Sequence, residues 1–180
     1  MQRTLITPPD IGGALAELKH WLAITTTQDD ASLEALLRAA LETCEAFTGT
    51  MPLAARLEEI HAATCEWQGL HASPVHLIDG VEAIATDGTR SALAVGDYEI
   101  DITGDSRGLV RLRHAGVMRR VAVRCLAGLV PEWEALPDGL RHGVLRLAAH
   151  NYRSRDGEGG PNPPAAIAAL WRPWRRMRLA

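Results

Sequence analysis

Apolar residues recur every three or four positions near both ends of the chain and every second position in the middle. Near the start, Ala14, Leu15, Leu18, Trp21 and Leu22 share one helical face. A longer stripe follows, made of Leu33, Leu36, Leu37, Ala40, Leu41, Cys44 and Phe47. Thr27 or Asp29 is placed to cap it, Asp29 and Asp30 suit its positive end, and Gly49 stands where a left-handed residue ends a helix. After Pro52 the period falls to two. Arg56–Trp67 predicts a strand, and Val81–Val95 two short strands around an Asp87-Gly88 turn. Tyr98–Ile102 and Leu109–Arg113 flank a turn-rich link. In Arg120–Leu126, Val121, Val123 and Cys125 alternate with Arg120, Ala122 and Arg124. Beyond Pro137 the helical period returns, with Leu140, Val144, Leu147, Ala148 and Asn151 or Tyr152 on the stripe. A loop rich in Gly and Pro (residues 154–164) precedes a short helix, Pro164–Leu170, which Pro173 stops or kinks near residues 170–172.

This order predicts an α+β fold. Residues 1–53 and 130–180 form a small helical bundle of three main helices plus a short C-terminal one. Residues 54–129 form an inserted antiparallel module, sandwich-like or barrel-like. Residues 171–180 are expected to run as an extended tail.

Composition narrows the function. The chain has 180 residues with a net charge of −3, so nucleic-acid binding would need a local patch. Lys19 is the only lysine; the arginines suit interfaces, but they are spread over all segments, and a GC-rich genome is the favoured account of them. Cys44, Cys65 and Cys125 are too few and too scattered for a disulfide framework, which points to a reducing compartment. We expect no signal peptide and no membrane span, and hence a protein made in a cytoplasm.

Catalytic and metal signatures are missing. His71 and His76 are five apart without a third ligand, and His142 and His150 are eight apart on a helix. The histidines therefore read as surface or satisfied core residues, with no metal and no cofactor expected. Glu58 and Glu59 point to opposite faces of a strand, Asp29 and Asp30 belong to a helix start, and no nucleophile motif or phosphate loop is present. An enzyme is not expected.

Several segments in this order resemble a known family. The stretch from Leu15 to Thr50, with its acidic pair and its ending in Glu45, Phe47, Thr48 and Gly49, is similar to the opening of the head–tail connector (adaptor) proteins of long-tailed phages and gene transfer agents. Ser73–Thr89, Gly96–Asp101, Gly108–Arg113 and Val121–Leu129 resemble that family's β insertion, Leu136–Gly157 its third helix, and Trp171–Leu179 its closing Pro-aromatic-Arg segment. The resemblance implies a structural protein without cofactor, in a dodecameric ring below the portal at the head–tail junction of a phage-like particle. It implies as partners the portal, neighbouring adaptor subunits, the next tail component (a stopper or tail terminator), and DNA passing non-specifically through the channel, with assembly in the bacterial cytoplasm.

Three roles are open to the tail. Arg172, Arg175, Arg176 and Arg178 would meet phosphates if it bound DNA, as a nucleic-acid-binding regulator would. Trp171, Trp174 and Met177 would fold back if it completed the core. If it bound the portal, Trp171, Arg172, Pro173, Trp174, Arg175, Arg176, Met177, Arg178 and Leu179 would be the contact, since Trp and Arg dominate interface hot spots. Portal docking is the expected role. Lateral contacts between subunits are expected where Arg111, Arg113, Arg119 and Arg120 meet Glu58 and Glu59 of a neighbour.

Overall fold

The computed structural model describes residues 2–116, 118–154 and 163–176. The fold is α+β, and the chain divides into two compact units. One comprises residues 1–8 and 54–128, the other residues 9–53 and 129–180.

The helical unit holds α1 (Gly12–Leu22), α2 (Asp30–Thr48), α3 (Asp138–Arg153) and α4 (Ala165–Trp171). Their apolar stripes meet in a core that includes Leu18, Leu33, Leu37, Ala40, Leu140, Val144 and Ala148, all at most 1% exposed. Leu36 and Phe47 pack at its margin. Asp29 sits at the start of α2 but does not cap it through its side chain; its carboxylate accepts the Tyr152 hydroxyl at 2.8 Å instead. Gly49 ends α2 with a φ of 71°, in the left-handed region that a side chain would disfavour. A 3-10 turn at Trp133–Ala135 buries Trp133, whose Nε1 donates to Glu17 on α1 at 2.9 Å.

The β unit has two antiparallel sheets, and neither closes on itself. The larger runs in the order β1-β2-β8-β4-β5 and the smaller β3-β7-β6. The strands are β1 (Gln2–Thr7), β2 (Ala55–Ala62), β3 (Gln68–Gly69), β4 (Val75–Ile84), β5 (Arg90–Ala92), β6 (Tyr98–Ile102), β7 (Gly108–Leu112) and β8 (Arg120–Ala127). Val121, Val123, Cys125 and Ala127 of β8 face inward beside Leu57 of β2 and Ile78, Val81 and Ala83 of β4. Gly108 lets β7 approach β4 closely: a Cβ there would lie 2.8 Å from Leu70 and 3.1 Å from Val75.

Two expectations are corrected here. Residues 2–7 belong to the β unit as an edge strand on β2, not to the helical bundle. All six are exposed, so no buried alternation marks them in the sequence. The strand expected from Val81 begins at Val75, because register shifts at Val75/Leu77 and Ile78/Gly80 break its period of two. Among the described residues, no helix is long and apolar enough to cross a membrane.

Candidate functional site

The C-terminal segment is anchored before it can extend. Ile167 and Trp171 lie four apart on α4, on one face, and both are buried. Trp171 is fully buried, and its Nε1 is 3.4 Å from the Leu140 carbonyl that accepts its hydrogen bond. Its ring stands 6.1 Å from that of Phe47. Gly143 makes the room, since a Cβ there would lie 2.1 Å from the Trp171 Nε1. Trp171 is therefore a core residue and not part of an extended docking tail.

Arg172–Trp174 continue as a 3-10 turn, which accommodates Pro173 near its start. The next residues return to the C-terminal end of α2. The Arg176 N–H donates to the Thr48 carbonyl at 2.8 Å, satisfying an acceptor left over at the helix end. The Arg175 guanidinium lies 5.6 Å from the centre of the Phe47 ring. Two cations near the negative end of α2 also suit its dipole. Trp174 is 36% exposed. Met177, Arg178 and Leu179 lie outside the described residues.

Four of the six residues expected between subunits, Glu58, Glu59, Arg111 and Arg113, have ion-pair partners within the chain. On the outer face of the large sheet, Arg90 donates to Glu58 at 2.7 Å and lies 3.7 Å from Glu82. Arg124 pairs with Glu82 and stands 3.7 Å from Glu58. On the small sheet Arg111 donates to Glu99 at 2.8 Å through Nε, and Arg113 lies 3.2 Å from the same carboxylate. The Arg111 guanidinium also covers the Trp67 ring at 4.7 Å. Arg119 and Arg120 have no ion pair among the described residues and border a depression of about 520 Å³ with Gln2, Ile60, Ala62, His61 and His71.

Glu59 is the largest departure from expectation. It points inward, opposite to Glu58, and is fully buried. Its Oε1 accepts the Ala72 N–H at 2.7 Å, and its Oε2 accepts the His71 N–H at 2.9 Å. The His61 Nε2 is 3.1 Å from Oε2, and the His71 Nδ1 is 3.6 Å from it. Burial alone would raise the Glu59 carboxyl. The hydrogen bonds from His61, His71 and Ala72, with the charge of His61 when protonated, outweigh it and hold the group below the usual carboxylate range. Glu59 is thus an ionised acid that ties the residue 71–72 turn to β2, not a surface partner for a neighbour.

His61 is a satisfied core histidine and His71 a half-exposed one, but the two come together. His61 and His71 join Glu59 in one cluster whose ligand-type atoms all lie within 4.8 Å of one another. His76 instead contacts the Gly128 carbonyl at 2.6 Å. The available signal was Glu59-x-His61, two side chains on one strand face. His71 arrives from a turn ten residues later, which no spacing rule reveals. Cys44 and Cys125 are buried, and burial is the main cause that pushes each thiol up to about 12.

No family model matches the chain, and no curated protein matches it by sequence. Solved structures do. One is a chain in the neck of an empty gene transfer agent (GTA) particle, at a TM-score of 0.74 and 24% identity, covering 100% of this chain and 98% of that one. Chains in the virion of the native GTA particle and in its neck match at a TM-score of 0.72 and 25% identity, with the same coverage. This full-length likeness agrees with the resemblance to head–tail connector proteins seen in the sequence.

Proposed function

We propose that this chain is a structural head–tail connector subunit of a phage-like particle. It forms a ring beneath the portal, joins the capsid to the tail and continues the channel through which DNA passes without sequence recognition. The observation that carries this is the likeness, over the whole of both units, to chains of a GTA neck. Those necks were computed with sixfold and with twelvefold symmetry, which favours a dodecamer. The role is geometric rather than catalytic, and the setting is the head–tail junction, after assembly in the bacterial cytoplasm.

The portal contact centres on the residues that follow the anchor. Trp171 holds the segment to the helical unit, so Trp174 and residues 177–179 are what the portal meets, with Arg172, Arg175 and Arg176 beside them. The alternative of a nucleic-acid-binding regulator is weakened because the Arg175 guanidinium already lies against Phe47 near the end of α2. Lateral contacts fall to Arg119, Arg120 and the outer edge of β1, whose Leu5 and Ile6 are 43% and 50% exposed. An exposed edge strand is a template for another chain, and ring closure would cover it. The opposite end of the ring receives the stopper or tail terminator.

The test is co-expression with the portal protein of the same particle. Deleting residues 177–180 should leave a folded protein that no longer joins the portal. Deleting from Trp171 onward would hollow the core as well, so its loss of binding would say little. Undiminished portal binding by the shorter deletion refutes the docking assignment.

A further inference from the structure

We propose that Glu59, His61 and His71 form a binding site for a divalent transition-metal cation of the zinc class. It is separate from the assembly role and stands or falls without it. Three features of the β unit converge on it.

First, the donor set is a carboxylate and two imidazoles, which suits zinc and related ions and differs from the all-oxygen sets of calcium or magnesium. Second, the three donor atoms are close to the spacing of a metal site, all within 4.8 Å of one another. Zinc bonds of 2.0–2.1 Å in a tetrahedron put ligand atoms about 3.3 Å apart. The Glu59 Oε2 lies 3.1 Å from the His61 Nε2 and 3.6 Å from the His71 Nδ1. Third, Glu59 is held as a metal ligand needs to be. Its side chain is 0% exposed, and the N–H groups of His71 and Ala72 fix both oxygens. Among the described residues its ion-pair partners are both histidines, with no Arg or Lys against it.

Binding exchanges one contact for another. The cation takes the place of the hydrogen between His61 Nε2 and Glu59 Oε2: neutral His61 offers Nε2 to the metal with its single proton on Nδ1, and a proton held on Nε2 beforehand moves to Nδ1 or is released to water. Oε2 retains the His71 N–H. The two histidines border the depression that Gln2, Arg119 and Arg120 also line, which leaves the fourth position accessible from outside. The ion would lock the turn at residues 71–72 to β2, beside the start of β1.

The test is titration of the full-length protein, stripped with a chelator, with Zn²⁺ in competition with a chromophoric chelator. A parallel titration with Co²⁺ reads the visible bands of a tetrahedral nitrogen–oxygen site. We expect one Zn²⁺ per chain, Co²⁺ bands of that type, and no uptake of Mg²⁺ at equal concentration. His71→Ala removes a side chain that is 47% exposed, so the fold survives it. It should weaken Zn²⁺ binding at least about tenfold and abolish the Co²⁺ bands. His76→Ala, outside the cluster, should change neither. No stoichiometric Zn²⁺ uptake by the wild type overturns the site and leaves the cluster a hydrogen-bonded clasp. Uptake that His71→Ala does not weaken overturns it too, by placing the ion elsewhere.

Discussion

The helical unit and the β unit are stabilised by different means. In the helical unit the buried side chains are almost all apolar, among them Trp133 and Trp171, the latter seated on Gly143. In the β unit a carboxylate stands in the inner face of the larger sheet, and the outer face carries a ladder of Glu58, Arg124, Glu82 and Arg90. Apolar packing follows from period and volume and is hard to replace. A buried acid depends on particular donors, and an ion-pair ladder whose arginines reach into solvent contributes little to stability. The units should therefore respond differently to substitution.

Trp171→Ala should have the largest effect. It empties the space between α3 and α4 and should cost about 3–5 kcal/mol in urea unfolding, with hydrogen exchange rising in the helical unit. Glu59→Gln comes next. A glutamine keeps one acceptor but turns an amide donor toward backbone N–H groups, so the loss should be about 3 kcal/mol, read in the exchange of the residue 71–72 amides. Gly143→Ala should cost about 2 kcal/mol by pressing a methyl group into the Trp171 ring. Arg124→Ala should change stability by no more than about 1 kcal/mol, since Arg124 is half exposed and Arg90 still faces both of its carboxylate partners. An effect there as large as that at Trp171 would erase the contrast. Thiol labelling perturbs least. Because burial raises Cys44 and Cys125 to about 12, their thiolates are scarce at pH 8, and an alkylating reagent should modify only the exposed Cys65 in the folded protein.

The same contrast explains what could be seen from the residues alone. The helices were legible because Leu18, Leu37, Leu41 and Val144 repeat at the helical period and are buried there. The break expected near residues 170–172 is where α4 gives way to a 3-10 turn. Trp171 was misplaced because Pro173 and four arginines suggested a free tail. Its pairing with Ile167 across one helical turn, and the Gly139 and Gly143 groove on α3, carried the opposite signal. In the β unit, β1 was hidden because an edge strand exposed along its whole length has no alternation of burial. The Glu59 cluster was hidden because His71 reaches it only through the turn after β3. Arg111 and Arg113 looked available because the Glu99 that neutralises them lies on another strand.

If the chain works as one subunit of a connector ring, images of the protein mixed with the portal of its own particle will show it. A ring of these subunits seated on the portal, with the C-terminal residues toward it, is the predicted result. Subunits that stay single beside a bare portal would contradict it.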